Sequence, residues 1–479
     1  MNNHSLPRST PEAQGVSSSA LLKFVNALEQ QIDEPHSLML LRRGAVIAEG
    51  WWAPCRPESK RMLFSLSKSF ASTAIGLLVA EGKLSIDDLV ISLFPELTPA
   101  NPDPNLAQMR VRHLLSMSTG HDKDVTDKIA SRADFQFVRA FLELPVEHQP
   151  GAHFAYNSAA TYMLSAIVQK LSGQPLVEYL RPRLFEPLGI QGEAWDSSPE
   201  GINFGGWGLY LSTEDIARFG QLFLQQGVWQ GRQLVPADWV AQASSKQVSN
   251  GDAPRSDWAQ GYGFQFWCCR HNIYRGDGAF GQYCIIMPDQ EAVLVMTGGV
   301  GDMQKPLNVV WEKLLPAFGP AKRRTSPLSQ RRLTDRLASL HLPIPSGSPA
   351  SPLIERVSGR TYQLEANPYH LESIRLDFST TPGSVTLRAA GVEQRLAFGS
   401  AGWLDGVFHG GALGLRPVAA CGVWSAPNTF TLQIRYFETP FFDTHHQTFS
   451  PDGSEVTLSG GLNLSFGPTK YDPIKGKAE

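Results

Sequence analysis

The chain has 479 residues, more than one hydrophobic core ordinarily organises, so two domains are expected. Hydrophobic residues make up 42% and charged residues 18%, the balance of a soluble globular protein, and no run of eighteen apolar residues offers a membrane span. A net charge of −3, with no basic cluster interleaved with aromatics, excludes an electrostatic footprint for nucleic acid.

The opening M-N-N-H-S-L-P-R-S-T-P-E-A-Q lacks the apolar core of a signal peptide, from which a cytoplasmic address is expected. Next, S-S-S-A-L-L-K-F-V-N-A-L-E-Q-Q has helical periodicity after a serine cap. The run S-L-M-L-L-R-R-G-A-V-I-A-E-G-W-W reads as a hairpin turning at Arg43-Gly44.

The segment F-S-L-S-K-S-F then introduces Ser65 and, three residues later, Lys68, the one Ser-x-x-Lys pair in the chain. Ser67 to Glu81 reads as a helix, apolar nearly all round and therefore buried, with Gly82 as its stop. Spacing i to i+3 puts the hydroxyl and the amine on one face. The first turn adds unpaired backbone N–H groups and the positive end of the helix dipole. A serine is a poor nucleophile unless a neighbour takes its proton, and a lysine can do so only when burial keeps it neutral. The plainer reading is a helix-start serine beside a snorkelling lysine.

From Ser65 to about Gln242 the pattern is mostly helical, with loops rich in Pro and Gly. Within it, P-G-A-H-F-A-Y-N-S places Tyr156, Asn157 and Ser158 in a turn before an apolar helix. A phenol beside a lysine can relay a proton to a leaving group; an aromatic plug beside a capping serine is the alternative. Further on, F-G-G-W-G-L-Y-L-S-T-E-D-I-A-R-F-G runs from a glycine-rich loop into a capped helix. Strands are expected at Y-G-F-Q-F-W-C-C, N-I-Y-R-G, Q-Y-C-I-I-M-P and A-V-L-V-M-T, with a closing helix at P-L-N-V-V-W-E-K-L-L. A sheet assembled from both ends around a helical insertion is the economical arrangement. Glycines at 276, 278 and 281 permit close backbone approach, as a strand donating to an oxyanion needs, or simply form a hairpin bulge.

Five cysteines, an odd number with no CxxC spacing, argue against a disulfide framework or a zinc site. No HExxH occurs, and the adjacent His445 and His446 face opposite ways if they lie on a strand, so no metal is expected. Residues 1–320 form the first expected domain and 321–352, rich in Pro, Ser and Arg, a linker with room for one short helix. Residues 353–479 alternate in short strands such as S-I-R-L-D-F and F-T-L-Q-I-R-Y-F, an antiparallel sandwich or barrel.

Six segments occur in order: S-L-S-K, G-K-L-S-I-D-D-L-V, V-R-H-L-L-S-M-S-T-G, P-G-x-x-F-x-Y-N-S, G-L-Y-L-S-T-E-D-I-A-R-F-G and the G-x-F-G-Q strand turn. Together, over roughly residues 8 to 318, they resemble the class C-like serine β-lactamase and penicillin-recognising family, which includes esterases, D-aminopeptidases and aminohexanoate-oligomer hydrolases. The resemblance implies an α+β fold, an antiparallel sheet flanked by helices beside an all-helical subdomain, with the site between these. It implies Ser65 as acylating nucleophile, Lys68 as its proton acceptor and Tyr156 as the group that protonates the leaving group. The N–H groups of Ser65 and Ala279, with Gly278 beside it, would form the oxyanion hole, and no cofactor is implied.

Two departures stand out. The family's Y-x-N reads Y-N-S here, leaving either Asn157 or Ser158 to replace the usual amide. The K-T-G strand reads G-D-G, and Asp277 there should repel a substrate carboxylate by about 1 kcal/mol or more, with Arg275 expected on the other face. Efficient penicillin hydrolysis is therefore not expected, and the pattern is nearest the esterase and 6-aminohexanoate-oligomer hydrolase branch. Trp207, Phe264 and Phe280 are candidate pocket walls or core residues. The leading expectation is a serine hydrolase acting on a small ester or amide. D-aminopeptidase or weak β-lactamase activity is the enzymatic alternative, and a non-catalytic scaffold retaining the fold is the alternative of another class. The C-terminal domain resembles lipocalin-like barrels that follow the catalytic domain in some relatives, where it would cover the site, hold a ligand or support a homodimer.

Overall fold

The computed structural model describes residues 5–319 and 326–479. It divides into two compact units, one of Met1–Gly50, Lys60–Gly298 and Asp302–Ser339, the other of Trp51–Ser59, Gly299–Gly301 and Leu340–Glu479. No helix among the described residues is long and apolar enough to cross a membrane.

The first unit begins with α1 (Ser18–Gln31), whose Leu21, Phe24, Val25 and Leu28 recur at helical spacing on its buried face. Strands β1 (Pro35–Arg42) and β2 (Ala45–Trp51) follow. The two-residue turn between them has Arg43 at φ 50° and Gly44 at φ 78°, the left-handed pair that matches strand twist in a tight hairpin. Helix α2 (Ser67–Ala80) is buried from Ser67 to Leu78, and Gly82 at φ 68° ends it. The helical insertion includes α3 (Ser158–Ser172) and α4 (Thr213–Leu224), the latter opened by a reciprocal Ser212–Asp215 capping box.

The chain then returns to the sheet through β3 (Trp267–Cys268), β4 (Tyr274–Gly278), β5 (Gln282–Met287) and β6 (Ala292–Gly298). Sheet order is β2-β1-β6-β5-β4-β3, with β1 and β6 antiparallel, so both ends of the unit build one sheet around the helices. Of the expected strand over 262–269 only Trp267–Cys268 pairs in the sheet, because Gln265 turns into the left-handed region at φ 65°. Helix α4 lies against β1, β5 and β6. It comes close because Gly220 has no Cβ; one would sit 2.6 Å from Val293 and 2.7 Å from the Cys284 sulfur. Phe219 of α4 stacks on Phe70 of α2 at 3.9 Å, fixing the buried helix to the layer that covers the sheet.

Residues 321–325 of the expected linker, with residue 320 before them, lie outside the described residues. Its continuation forms α5 (Pro327–Ala338), a twelve-residue helix capped by Ser326 and packed on α1.

The second unit holds a ten-stranded antiparallel sheet. Strands consecutive in the chain are neighbours except the fourth and fifth, and the first, Thr361–Leu364, pairs with the last, Lys470–Ala478, through Tyr362 and Ala478. The two edges are therefore Val392–Phe398 and Leu404–His409, joined by a short loop. Across that gap the Gly422 N–H donates to the Gly399 carbonyl at 2.9 Å, so the sheet closes almost completely into a barrel. The interior is filled: Tyr362, Phe398, Trp424, Phe430 and Phe449 pack among aliphatic residues such as Leu376, Val418 and Ile434.

Candidate active site

Ser65 lies in the single 3-10 turn Phe64–Leu66 that feeds into α2, one turn ahead of Lys68. Phe64 has φ 48°, a left-handed conformation that a bulky residue rarely adopts and that is found disproportionately at functional sites. Phe280, in the turn between β4 and β5, has φ 63°, and the two rings meet edge-on at 5.5 Å. Gly278, the last residue of β4, approaches the same turn so closely that a Cβ would lie 2.0 Å from the Leu63 carbonyl oxygen. Ala279 sits just past the last ladder pair, Gly278–Gln282, and the Gln282 side chain holds the turn by donating to the Phe280 and Gly298 carbonyls at 3.2 and 2.9 Å. The Ser65 turn and the Ala279 turn are thus held side by side by packing, with glycine making the approach sterically allowed.

Lys68 is 1% exposed. Its Nζ lies 2.9 Å from Ser65 Oγ, 3.0 Å from Ser158 Oγ and 2.8 Å from the Gly206 carbonyl oxygen. Burial drives its pKa down to about 7, against the opposing pull of the Asp124 and Asp277 carboxylates. Of the three neighbours only the Gly206 carbonyl must accept. A neutral amine can therefore donate to Gly206 and Ser158 while accepting the Ser65 proton, and the ammonium can donate to all three. Both protonation states are satisfied without rearrangement, which a group that takes up and returns a proton requires.

Tyr156 brings its phenol to Ser65, with which it hydrogen bonds, and its ring lies 4.8 Å from Lys68 Nζ. The ring is stacked on Trp267 at 5.1 Å and meets Tyr262 edge-on at 6.0 Å. Burial, then the Asp277 carboxylate, raises the phenol well above its ordinary pKa, so it holds its proton at neutral pH and can pass one on.

The two residues of Y-N-S separate cleanly. Ser158 faces Lys68. Asn157 is fully buried, and its Oδ1 accepts from the N–H groups of Ala159 at 3.1 Å and Val125 at 3.4 Å, capping α3 and tying down a loop. Of the two, Ser158 is thus the residue that meets Lys68, while Asn157 bonds to backbone. Trp207 is half-buried, directly follows Gly206, whose carbonyl accepts from Lys68, and stacks on Phe204 at 4.5 Å. Phe264 is 3% exposed and packs against Trp239 at 5.6 Å, among core residues.

One expectation is corrected. Arg275 does not point away from Asp277: its Nε lies 2.7 Å from Asp277 Oδ2, both side chains buried. Residues two apart on a strand share a face, and only immediate neighbours alternate. The Arg275 guanidinium also lies 4.4 Å from the Trp258 ring. Asp277 is thus a paired carboxylate, and the repulsion expected from it toward an anionic substrate is largely offset.

Two participants had no signal in the sequence. The Gly206 carbonyl comes from the glycine loop read only as a helix start. Asp124, exposed, accepts from the Thr126 N–H at 2.9 Å and from the Ser158 N–H at 3.3 Å, and its charge reaches Lys68 and Tyr156. Nothing in G-H-D-K-D-V-T announces a partner 34 residues further on.

An antiparallel sheet with helical insertion, a serine–lysine–tyrosine group at the head of a buried helix and a glycine-bounded strand end define a serine hydrolase of the penicillin-recognising kind. Residues 25–300 match the family described as Beta-lactamase, and the chain belongs to that family of serine hydrolases. It is 27% identical over 311 residues to the 6-aminohexanoate-dimer hydrolase of Paenarthrobacter ureafaciens, covering 60% of this chain and 78% of that protein. In fold it is similar to the octameric penicillin-binding protein homologue from Pyrococcus abyssi, with TM-score 0.50, 16% identity and coverage of 95% of this chain and 99% of that one. A hydrolase with promiscuous acyltransferase activity also shares the fold, with TM-score 0.50, 17% identity and coverage of 61% and 97%.

Proposed function

We propose that the protein hydrolyses a small ester or amide through an acyl-enzyme on Ser65. The observation that carries this reading is the Lys68 amine, 2.9 Å from Ser65 Oγ and held near neutrality by burial. Ser65 Oγ attacks the substrate carbonyl as its proton passes to Lys68 Nζ. The negative charge on the carbonyl oxygen is met by the N–H groups of Ser65 and Ala279. The proton then moves through the Tyr156 phenol to the departing alkoxide or amine. Water, losing a proton along the same path in reverse, attacks the acyl carbon and returns Ser65 to its resting state. Lys68 and Tyr156 act as one coupled relay, and no cofactor enters the scheme.

A short chromogenic ester and a fluorophosphonate probe test the reading. The native protein is expected to turn over the ester and take up the probe; Ser65→Ala is expected to lose the label and about 10³-fold or more in kcat/KM. Equal rates for the two proteins would end it, and a non-catalytic scaffold would then be favoured.

The exposed Asp124 carboxylate beside the relay favours a second, narrower reading, an amide or ester whose substrate carries an ammonium group. The likeness to a 6-aminohexanoate-dimer hydrolase supports it. Asp124→Asn should raise KM for amine-bearing substrates severalfold and leave KM for neutral esters unchanged; parallel changes in both would count against it.

A further inference from the structure

Asp122, His148 and His153 take no part in the proposed hydrolysis, yet one donor atom from each falls within 4.8 Å of the other two. Among the described residues no other three His, Cys, Asp or Glu side chains meet in this way. His148 Nε2 stands 3.3 Å from Asp122 Oδ1, and the two imidazole rings lie 4.4 Å apart at 32°. His153 Nε2 is 3.3 Å from the Asp122 backbone carbonyl oxygen.

The three residues come from two segments that the backbone holds together. The His148 N–H donates to the Gly120 carbonyl at 2.8 Å, the Gly151 N–H to Ser118 at 2.8 Å and the Ala155 N–H to Met117 at 3.0 Å. Gly120, at φ 93°, makes this closeness possible, because a Cβ there would lie 2.2 Å from the His148 carbonyl oxygen. The donors are therefore placed by main-chain pairing on both sides, leaving only side-chain rotation to complete a site.

Two imidazoles and one carboxylate are a donor set suited to zinc and neighbouring first-row ions, at bond lengths of about 2.0–2.2 Å. Around a tetrahedral ion of that size the donors stand roughly 3.4 Å apart. The His148–Asp122 pair already has this separation, and rotation of the half-exposed rings would bring in the third donor. With side-chain exposures of 42% for His148 and 66% for Asp122, a fourth position is open to water.

We propose that Asp122, His148 and His153 form a binding site for a zinc-like divalent transition ion, with water completing the coordination. The ion would clamp two segments whose continuations carry Asp124 and Tyr156, so its effect would be to stiffen the wall of the hydrolytic site. An ordinary surface hydrogen-bond cluster is the competing account.

The full-length protein, dialysed against chelator, is titrated with Zn²⁺ in competition with a chromophoric chelator and melted with and without the ion. One equivalent should bind in the micromolar range or tighter, with a rise in Tm. His148→Asn and His153→Asn, with native circular dichroism, should each weaken binding at least about tenfold and abolish the Tm rise. Absence of saturable binding, or binding unchanged in both variants, would overturn the proposal. Co²⁺ gives an independent readout: visible d–d bands that require Asp122 support the site, and their persistence in Asp122→Ala opposes it.

Discussion

At the residue scale, Lys68 carries two opposed demands. Burial that suits it to the proposed role of base also makes its charge costly. Unfolded, it titrates near about 10.4; folded, at about 7. Between those values the unfolded chain binds the extra proton, so stability rises with pH across that window, and the penalty is largest below pH 7. Lys68→Met should therefore abolish ester turnover and stabilise the fold by roughly 1–3 kcal/mol, more at pH 6 than at pH 10. Thermal melts at the two pH values check the sign. In the native protein kcat/KM should rise as pH increases through about 7, as the amine loses its proton. A flat profile from pH 5 to 9 would count against Lys68 as the base.

At the element scale, the proposed oxyanion hole depends on the meeting of β4 with the 3-10 turn before α2. Gly276 faces Leu66 and Ser69, and Gly278 faces the Leu63 carbonyl, so one face of the strand is bare where the Ser65 turn passes over it. On the opposite face Arg275 and Asp277 pair in the interior. Gly278→Ala would place a methyl 2.0 Å from backbone, which cannot move as a side chain can. Its expected cost is roughly 1–3 kcal/mol in stability. The larger effect should fall on turnover, about 10²-fold or more, because the Ala279 N–H moves with the strand. Urea melts and ester kinetics on the same variant separate the two losses, and a variant with normal kcat would remove Ala279 from the oxyanion hole.

At the scale of the whole molecule, two cores are closed separately. The first is layered around α2 and the six-stranded sheet, the second packed inside the ten-stranded barrel. Phe430, 1% exposed and in ring contact with Phe398 and Trp424, anchors the second. Phe430→Ala should cost about 3–5 kcal/mol there, and Leu78→Ala, fully buried in α2, about 2–5 kcal/mol in the first unit. Calorimetry should show the two substitutions lowering different transitions; a single shared shift would mean one cooperative unit.

What could be read without coordinates was what depends on local periodicity. Helical pitch alone puts residues 65 and 68 on one face, and they are hydrogen bonded. Left-handed tolerance at Arg43-Gly44 announces a hairpin, and it is there. Alternating short runs announce an all-β second unit but not its strands Leu404–His409, Leu415–Ala426 and Lys470–Ala478; in the last two, Pro417 and Pro473 discourage a strand reading. Pro417 pairs only with Val407 of the edge strand, ahead of Ala419 where the ladder on its other side begins, and Pro473 falls where the register with Glu455–Leu462 shifts, so neither position needs the missing N–H on two sides. Tertiary packing alone decided that Ser158 rather than Asn157 meets Lys68, that the Gly206 carbonyl completes the amine's contacts, and that Asp124, Asp122, His148 and His153 matter. Those partners lie 90 and 138 residues from Lys68, or on separate segments of the insertion. A chain of that length between two groups sets no distance; only the cores that close around it do.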